Sequence, residues 1–200
     1  MVRRTLKLEL SAYFFFLVIL PIIIVTMLFY YELRQSTRKM VEEGLSKLAF
    51  EVGLEVEGTI FEACNHIVAL SNNDIVKSEE ASIVEKQHEF QKVYDLYKTF
   101  NTITLLDLDG AVLTSTNYNY RGEWKNKSWI KLAKKDIPSV SPPYVILHPT
   151  RFAMDVAIPV VNLDGRIKSI LVGQFNLKII WEIIDRISLG KTGFVFLIDK

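Results

Sequence analysis

Residues Asn101–Thr116 read NTITLLDLDGAVLTST. Two runs rich in β-branched and apolar residues flank Asp109 and Gly110, and an Asp-Gly pair between such runs predicts a β-hairpin. Toward the C-terminus three more strands are expected, over Tyr144–Leu147, Phe152–Val161 and Ile167–Phe175. The NLDG stretch Asn162–Gly165 joins the last two as a second hairpin turn. A short helix is expected near Trp129–Lys135. Leu177–Ile187 returns to helical spacing through Ile179, Ile180, Ile183, Ile184 and Ile187. Five strands joined largely by hairpins make an antiparallel sheet, with helices over one face, which is the α+β class.

Upstream of the hairpin the period changes. From Glu32 to about Leu70 there is no proline, and Val41, Leu45, Leu48, Val52, Val56, Ile60, Ala63, Ile67 and Leu70 recur at three- and four-residue steps. That is one face of a long helix. Phe50, Leu54, Phe61 and Val68 form a second apolar stripe, which suits the same helix of a second chain, or burial on both sides within one protomer. The SNND run Ser71–Asp74 supplies stop and turn residues, and a shorter helix is expected from about Glu79 to Thr99. His66 and His88 stand alone on these helices without neighbouring ligands, so neither implies a metal, and nothing in the chain implies a cofactor.

Farther out, Leu10–Tyr31 reads LSAYFFFLVILPIIIVTMLFYY, without a charge, between Glu9 and Glu32. Crossing a bilayer core takes about 20 apolar residues, and in lipid the backbone must pair within the segment, so this run predicts a transmembrane helix. Pro21 removes one internal bond and predicts a kink. Tyr30 and Tyr31 suit the interfacial aromatic belt. Arg3, Arg4 and Lys7 precede the run, as in a signal peptide, but the run is long and LFYYELRQ offers no small-residue cleavage site. An uncleaved anchor is the reading. Arg34, Arg38, Lys39 and Lys47 follow the span, so charge alone does not set its orientation.

The net charge of +1 gives no reason to expect a nucleic-acid partner. The single cysteine, Cys64, rules out an internal disulfide and suits a small buried filler. FVFLID (194–199) starts another strand after a turn at Gly190–Gly193. A lone terminal strand is not stable, so the chain is expected to be the front part of a longer protein.

The order of span, long helix, LLDLDGAVLTST, a Trp-containing loop, SPPYV, AIPV followed by DG, VGQFNL and LGKTGFVFLID resembles the double-Cache extracytoplasmic sensor domains of bacterial chemoreceptors, histidine kinases and diguanylate cyclases. No single motif is specific; their order and spacing are. The resemblance implies a cytoplasmic tail over 1–9, a transmembrane helix over 10–31, a stalk helix over 32–70, a membrane-distal PAS-like subdomain over 71–187, and the start of a membrane-proximal one over 188–200. It implies a receptor in the bacterial plasma membrane that dimerises through the long helix and binds a small molecule in the distal subdomain.

The loop from Asn117 to Tyr144 is rich in aromatic and cationic side chains, Tyr118, Tyr120, Arg121, Trp124, Lys127, Trp129 and Tyr144 among them. Such loops on a sheet concentrate binding residues, aromatics supplying flat walls and cations an anion grip. Amino-acid-binding double-Cache domains resemble one another in an R-x-W-Y element, a later tyrosine, and an aspartate on the last strand. Lys127-Ser128-Trp129-Ile130 is similar to that element with Lys for Arg and Ile for Tyr; Tyr144 stands about where the later tyrosine should, and Gln174 takes the place of the aspartate. Lysine lacks the bidentate fork of arginine, and glutamine offers no full charge to an ammonium. A small carboxylate, or a ligand delivered by a partner protein, therefore fits at least as well as an amino acid. Asp155 is either a pocket acid or a surface charge. The candidate binding residues are Tyr120, Lys127, Trp129, Tyr144, Asp155 and Gln174.

Catalysis is not expected. LLDLDGAVLTST also resembles the first motif of haloacid-dehalogenase-type phosphatases, with Asp107 as nucleophile and Asp109 as acid, but Ala111 replaces the threonine and hairpins follow where that fold needs a parallel sheet. Ser188–Lys191 and Lys191–Gly193 mimic penicillin-binding motifs yet share one lysine, so they read as a turn.

Overall fold

The computed structural model describes residues 10–187, except 12, 118–123, 148–149 and 163. Tyr120 and the strand expected over 194–199 lie outside the described residues. The chain divides into two compact units, Met1–Glu51 and Val52–Lys200.

A π-helical turn in the first unit, Phe15–Ile19, leads into the long helix α1, Leu20–Ser71, whose residues from Val52 onward belong to the second unit. The Leu20 N–H bonds the Phe15 carbonyl, five residues back. Proline at 21 has no N–H to give the Leu17 carbonyl, and its ring crowds that carbonyl. Widening the turn just before it relieves the crowding, so the response to Pro21 includes a π turn. The helix is long and apolar enough to cross a membrane by length and composition. Within the apolar run, Thr26 donates its hydroxyl to the Ile22 carbonyl at 2.7 Å, which satisfies the side-chain donor within the helix.

The second unit is built on one antiparallel sheet. After α1, Asn73 caps a single turn, α2 (Asp74–Lys77), its side chain accepting from the Ile75 and Val76 N–H groups. Helix α3, Ile83–Tyr97, starts at a capping box in which Ser82 and Glu85 each accept from the other's backbone N–H. It ends at Lys98, in the left-handed region at φ 52°. Strands β1 (Phe100–Leu106) and β2 (Val112–Ser115) follow, then α4 (Ser128–Ala133), β3 (Ser139–Val140), β4 (Tyr144–Leu147), β5 (Thr150–Val161), β6 (Ile167–Asn176) and α5 (Lys178–Asp185). The sheet order is β2-β1-β6-β5-β3, with β4 also on β5. The two-residue β3 adds a sixth strand to the five read from the sequence. Gly110 turns the β1–β2 hairpin at φ 84°, and a Cβ there would press on the Lys125 backbone, so glycine is required twice over.

Successive strand residues face opposite ways, and both faces are covered. On one face, Met154, Val156, Ile158 and Val160 of β5 and Leu171 and Phe175 of β6 join Ala63, Ile67 and Leu70 of α1, Phe90 of α3, and Ile180, Ile183 and Ile184 of α5. Phe90, Phe175 and Ile67 are fully buried, and truncating such a phenylalanine costs about 3–5 kcal/mol. Val52, Val56, Ile60 and Cys64 pack against the rim of this core. The second stripe residues Leu54 and Phe61 stay exposed. On the opposite face a smaller cluster forms from Leu106, Ala157, Ile170 and Val172 under Trp124, Ile130 and Ala133, with Trp129 against it.

Candidate functional site

Along the strands, the smaller face changes from apolar to polar. Cross-strand register sets Leu106, Ile170 and Pro159 in one row. The next row on the same side holds Ser115, Thr104, Val172, Ala157 and Ser139. The one after it holds Thr102, Gln174 and Asp155. A fully apolar face would be cheaper to bury, because each buried polar group needs a partner. The polar end is therefore the part of this face that has to be satisfied by hydrogen bonds.

Asp155 is 2% exposed and Gln174 1%. Tyr144, brought alongside by the pairing of β4 with β5, donates its hydroxyl to Asp155 Oδ1 at 2.7 Å and accepts from Gln174 Nε2 at 2.7 Å. The Asp155 main chain is clamped on Ser141: its N–H donates to Ser141 Oγ at 2.8 Å, and its carbonyl accepts from the Ser141 N–H at 2.8 Å. Burial pushes the Asp155 carboxyl up to about 6; hydrogen bonds from Tyr144 and Gln174 and the charge of Lys127 pull the other way. Lys127 thus lies close enough to be felt by Asp155. Its Nζ sits 5.5 Å from the Trp129 ring centroid, a cation–π distance. The Trp129 indole N–H is buried and has no partner among the described residues. Trp129 is also fixed through its carbonyl, which accepts from Ser139 Oγ at 2.6 Å.

Of the six residues read from the sequence, Tyr144, Asp155 and Gln174 touch directly, and Lys127 and Trp129 stand together at the start of α4, Lys127 as its N-cap and Trp129 in its first turn. Asp155 is a buried acid and not a surface charge. The hydroxyls of Thr102, Thr104 and Ser115 were not foreseen. Ser115 Oγ lies 3.0 Å from Thr102 Oγ1 and 2.9 Å from Thr104 Oγ1. Their signal was the T-x-T spacing inside an otherwise apolar strand, which puts both hydroxyls on one side.

The phosphatase-like aspartate is part of a turn. Asp107 Oδ1 accepts from the Ala111 N–H at 2.7 Å, and the Asp107 N–H donates to the Ala111 carbonyl. Every strand pairing among the described residues is antiparallel. The penicillin-binding-like residues 188–193 lie outside the described residues.

No protein-family model matches the chain, and no curated protein matches it by sequence. Solved structures do. The ligand-binding domain of the amino-acid chemoreceptor PctC of Pseudomonas aeruginosa PAO1, in complex with GABA, superposes with a TM-score of 0.62 at 16% identity over 73% of this chain. The chain has the fold of a chemoreceptor ligand-binding domain. The ligand-binding domain of the Campylobacter jejuni chemoreceptor Tlp3, in complex with 4-methylisoleucine, matches with a TM-score of 0.53 at 16% identity over 66% of this chain. The periplasmic sensory domain of Campylobacter jejuni Tlp1 matches with 0.53 at 12% identity over 68%. The chain spans 65%, 56% and 60% of those three chains. The double-Cache resemblance holds at the level of this fold.

Proposed function

We propose that the chain is the extracytoplasmic sensing part of a receptor anchored by Leu10–Tyr31, and that it binds a small zwitterion at the polar end of the smaller sheet face. The observation that carries this reading is the buried Asp155–Tyr144–Gln174 chain of hydrogen bonds facing a loop that holds Lys127. A carboxylate kept in a desolvated place is the natural partner of an ammonium group. Lys127 and the unpartnered Trp129 indole N–H suit the carboxylate at the other end of the same ligand. Gln174 alone would disfavour an amino acid; Asp155, its register neighbour on β5, restores the missing negative charge. The PctC and Tlp3 domains hold GABA and 4-methylisoleucine, both of which carry an ammonium and a carboxylate.

In this reading Lys127, Trp129, Tyr144, Asp155 and Gln174 contact the ligand, and Tyr120 contributes from the same loop. The residues from 188 onward open a membrane-proximal subdomain. The exposed Leu54, Phe61 and Val68 on α1 meet a second copy, so that ligand binding biases a dimer between two states. The signal passes from the distal subdomain through α1 to the membrane.

Calorimetry against amino acids and ω-amino acids tests the site. Losing a charge-assisted hydrogen bond costs about 1.5–3 kcal/mol, so Lys127→Ala should weaken binding roughly ten- to a hundredfold with an unchanged melting temperature. A folded Lys127→Ala protein of unaltered affinity would remove Lys127 from the site.

A further inference from the structure

A cavity lies away from the face just described. It has a volume of about 700 Å³ and opens between the end of α3, the start of β1, the start of β5 and α5. Phe100, from the core beneath the helices, forms part of its wall. Three cations line it, Lys98, Arg151 and Lys178, against one carboxylate, Asp95. Asp95 already accepts from Gln91 Nε2 at 3.0 Å, and Lys178 pairs with Glu182 at 3.3 Å. Lys98 and Arg151 make no ion pair among the described residues.

Three further features belong to the same place. The side-chain amide Nδ2 of Asn101, which lines the cavity, is buried and has no hydrogen-bond partner among the described residues. Native proteins rarely leave such a donor unmatched. Lys98 holds a left-handed backbone at φ 52°, an uncommon conformation for a residue with a side chain. At the rim, Phe152 and Trp181 are 45% and 47% exposed, with ring centroids 6.0 Å apart and planes tilted by 51°. Two large rings half in water beside surplus positive charge are not a packing solution.

We infer that this cavity is a second ligand site, for a small aromatic carboxylate. The volume falls within the range of about 300–1,000 Å³ typical of small-molecule pockets. Arg151 offers a planar fork that matches a carboxylate with two hydrogen bonds, and Lys98 adds a point charge. The Asn101 amide donates to the same anion or to a ring hydroxyl. The Phe152 and Trp181 rings receive a flat apolar body in tilted or offset stacking. Cations outnumber carboxylates at the site and the unmatched buried Asn101 group is a donor, so the ligand supplies acceptors. An ammonium would meet like charge there, which separates this site from the zwitterion site on the other face.

Phenylacetate is the probe, titrated into the whole chain in nanodiscs and followed by calorimetry and tryptophan fluorescence; 2-phenylethanol is the uncharged control. Phenylacetate should bind saturably and 2-phenylethanol at least roughly tenfold more weakly, since one charge-assisted bond is worth about that factor. Arg151→Ala and Trp181→Ala should each weaken phenylacetate roughly tenfold or more while retaining the wild-type circular dichroism and melting profile. Lys127→Ala and Asp155→Asn should leave its affinity unchanged, and binding of amino acids should survive Arg151→Ala, so the two sites fail independently. Absence of saturable phenylacetate binding at millimolar concentration overturns the inference. So does binding that survives Arg151→Ala and Trp181→Ala but is lost in Lys127→Ala, because the probe then occupies the other face.

Discussion

Replacing Asp155 with asparagine should make the protein more stable at neutral pH and blind to its ligand. Burial raises the Asp155 carboxyl from 3.8 to about 6. At 1.36 kcal/mol per unit that shift corresponds to about 3 kcal/mol. The folded state binds the proton more tightly than the unfolded state, so the contribution has a definite sign. Below about pH 3.8 both states are protonated and nothing is lost. As pH rises from 3.8 to 6 the folded state is progressively destabilised, and above 6 the full cost is present. Asparagine is neutral throughout, and its Oδ1 can still accept from Tyr144. The Asp155→Asn protein should therefore melt higher than wild type at pH 7.5, by about 6–12 °C at roughly 2–4 °C per kcal/mol for a chain of this size. At pH 4 the gap should nearly close. Circular dichroism melts at both pH values give the answer. A difference in Tm independent of pH would refute the account of Asp155 as a desolvated charge, as would a lower Tm at pH 7.5 alone.

Other outcomes follow from the fold. A Cβ at Gly173 would overlap Ile67 and touch Phe100, so Gly173→Ala should cost about 1–3 kcal/mol, read as a lowered urea midpoint; an unmoved midpoint would contradict the close seating of α1 on β6. Ser82→Ala removes the capping box of α3 and should cost about 1 kcal/mol in the same assay, with no change in ligand affinity. A reporter active only outside the cytoplasm, fused after Lys200, should be active; activity of a cytoplasm-specific reporter there would invert the topology.

The order of elements was legible because each carries its own local signal. The proline-free stretch through Leu70 keeps helical period, and Asp109-Gly110 and Asp164-Gly165 each supply the positive φ that their turns adopt. Strand β3 was not legible: Ser139 and Val140 are too short a run for any period, enclosed by Pro138 and Pro142. The site was half legible. Lys127, Trp129 and Tyr144 announce themselves as aromatic and cationic residues in a loop. The burial of Asp155 did not, because one acid in an apolar run gives no sign of which face it takes until register sets it beside Gln174. The cavity lined by Asn101, Arg151 and Trp181 was invisible for a different reason. Its parts come from five elements that only the folded sheet brings together, and no local pattern records such a meeting.

Gly173 has one more consequence. It is the neighbour of Gln174 on β6, and the two residues look in opposite directions: Gln174 into the Asp155–Tyr144 chain, Gly173 onto Ile67 of the long helix. Without a side chain at 173 the Ile67 side chain rests directly on the strand backbone. At this point the β6 backbone alone separates the hydrogen-bonded Gln174 side of the sheet from the Ile67 side chain of α1. A displacement of the β6 backbone at this point would meet the Ile67 side chain with no second side chain between them.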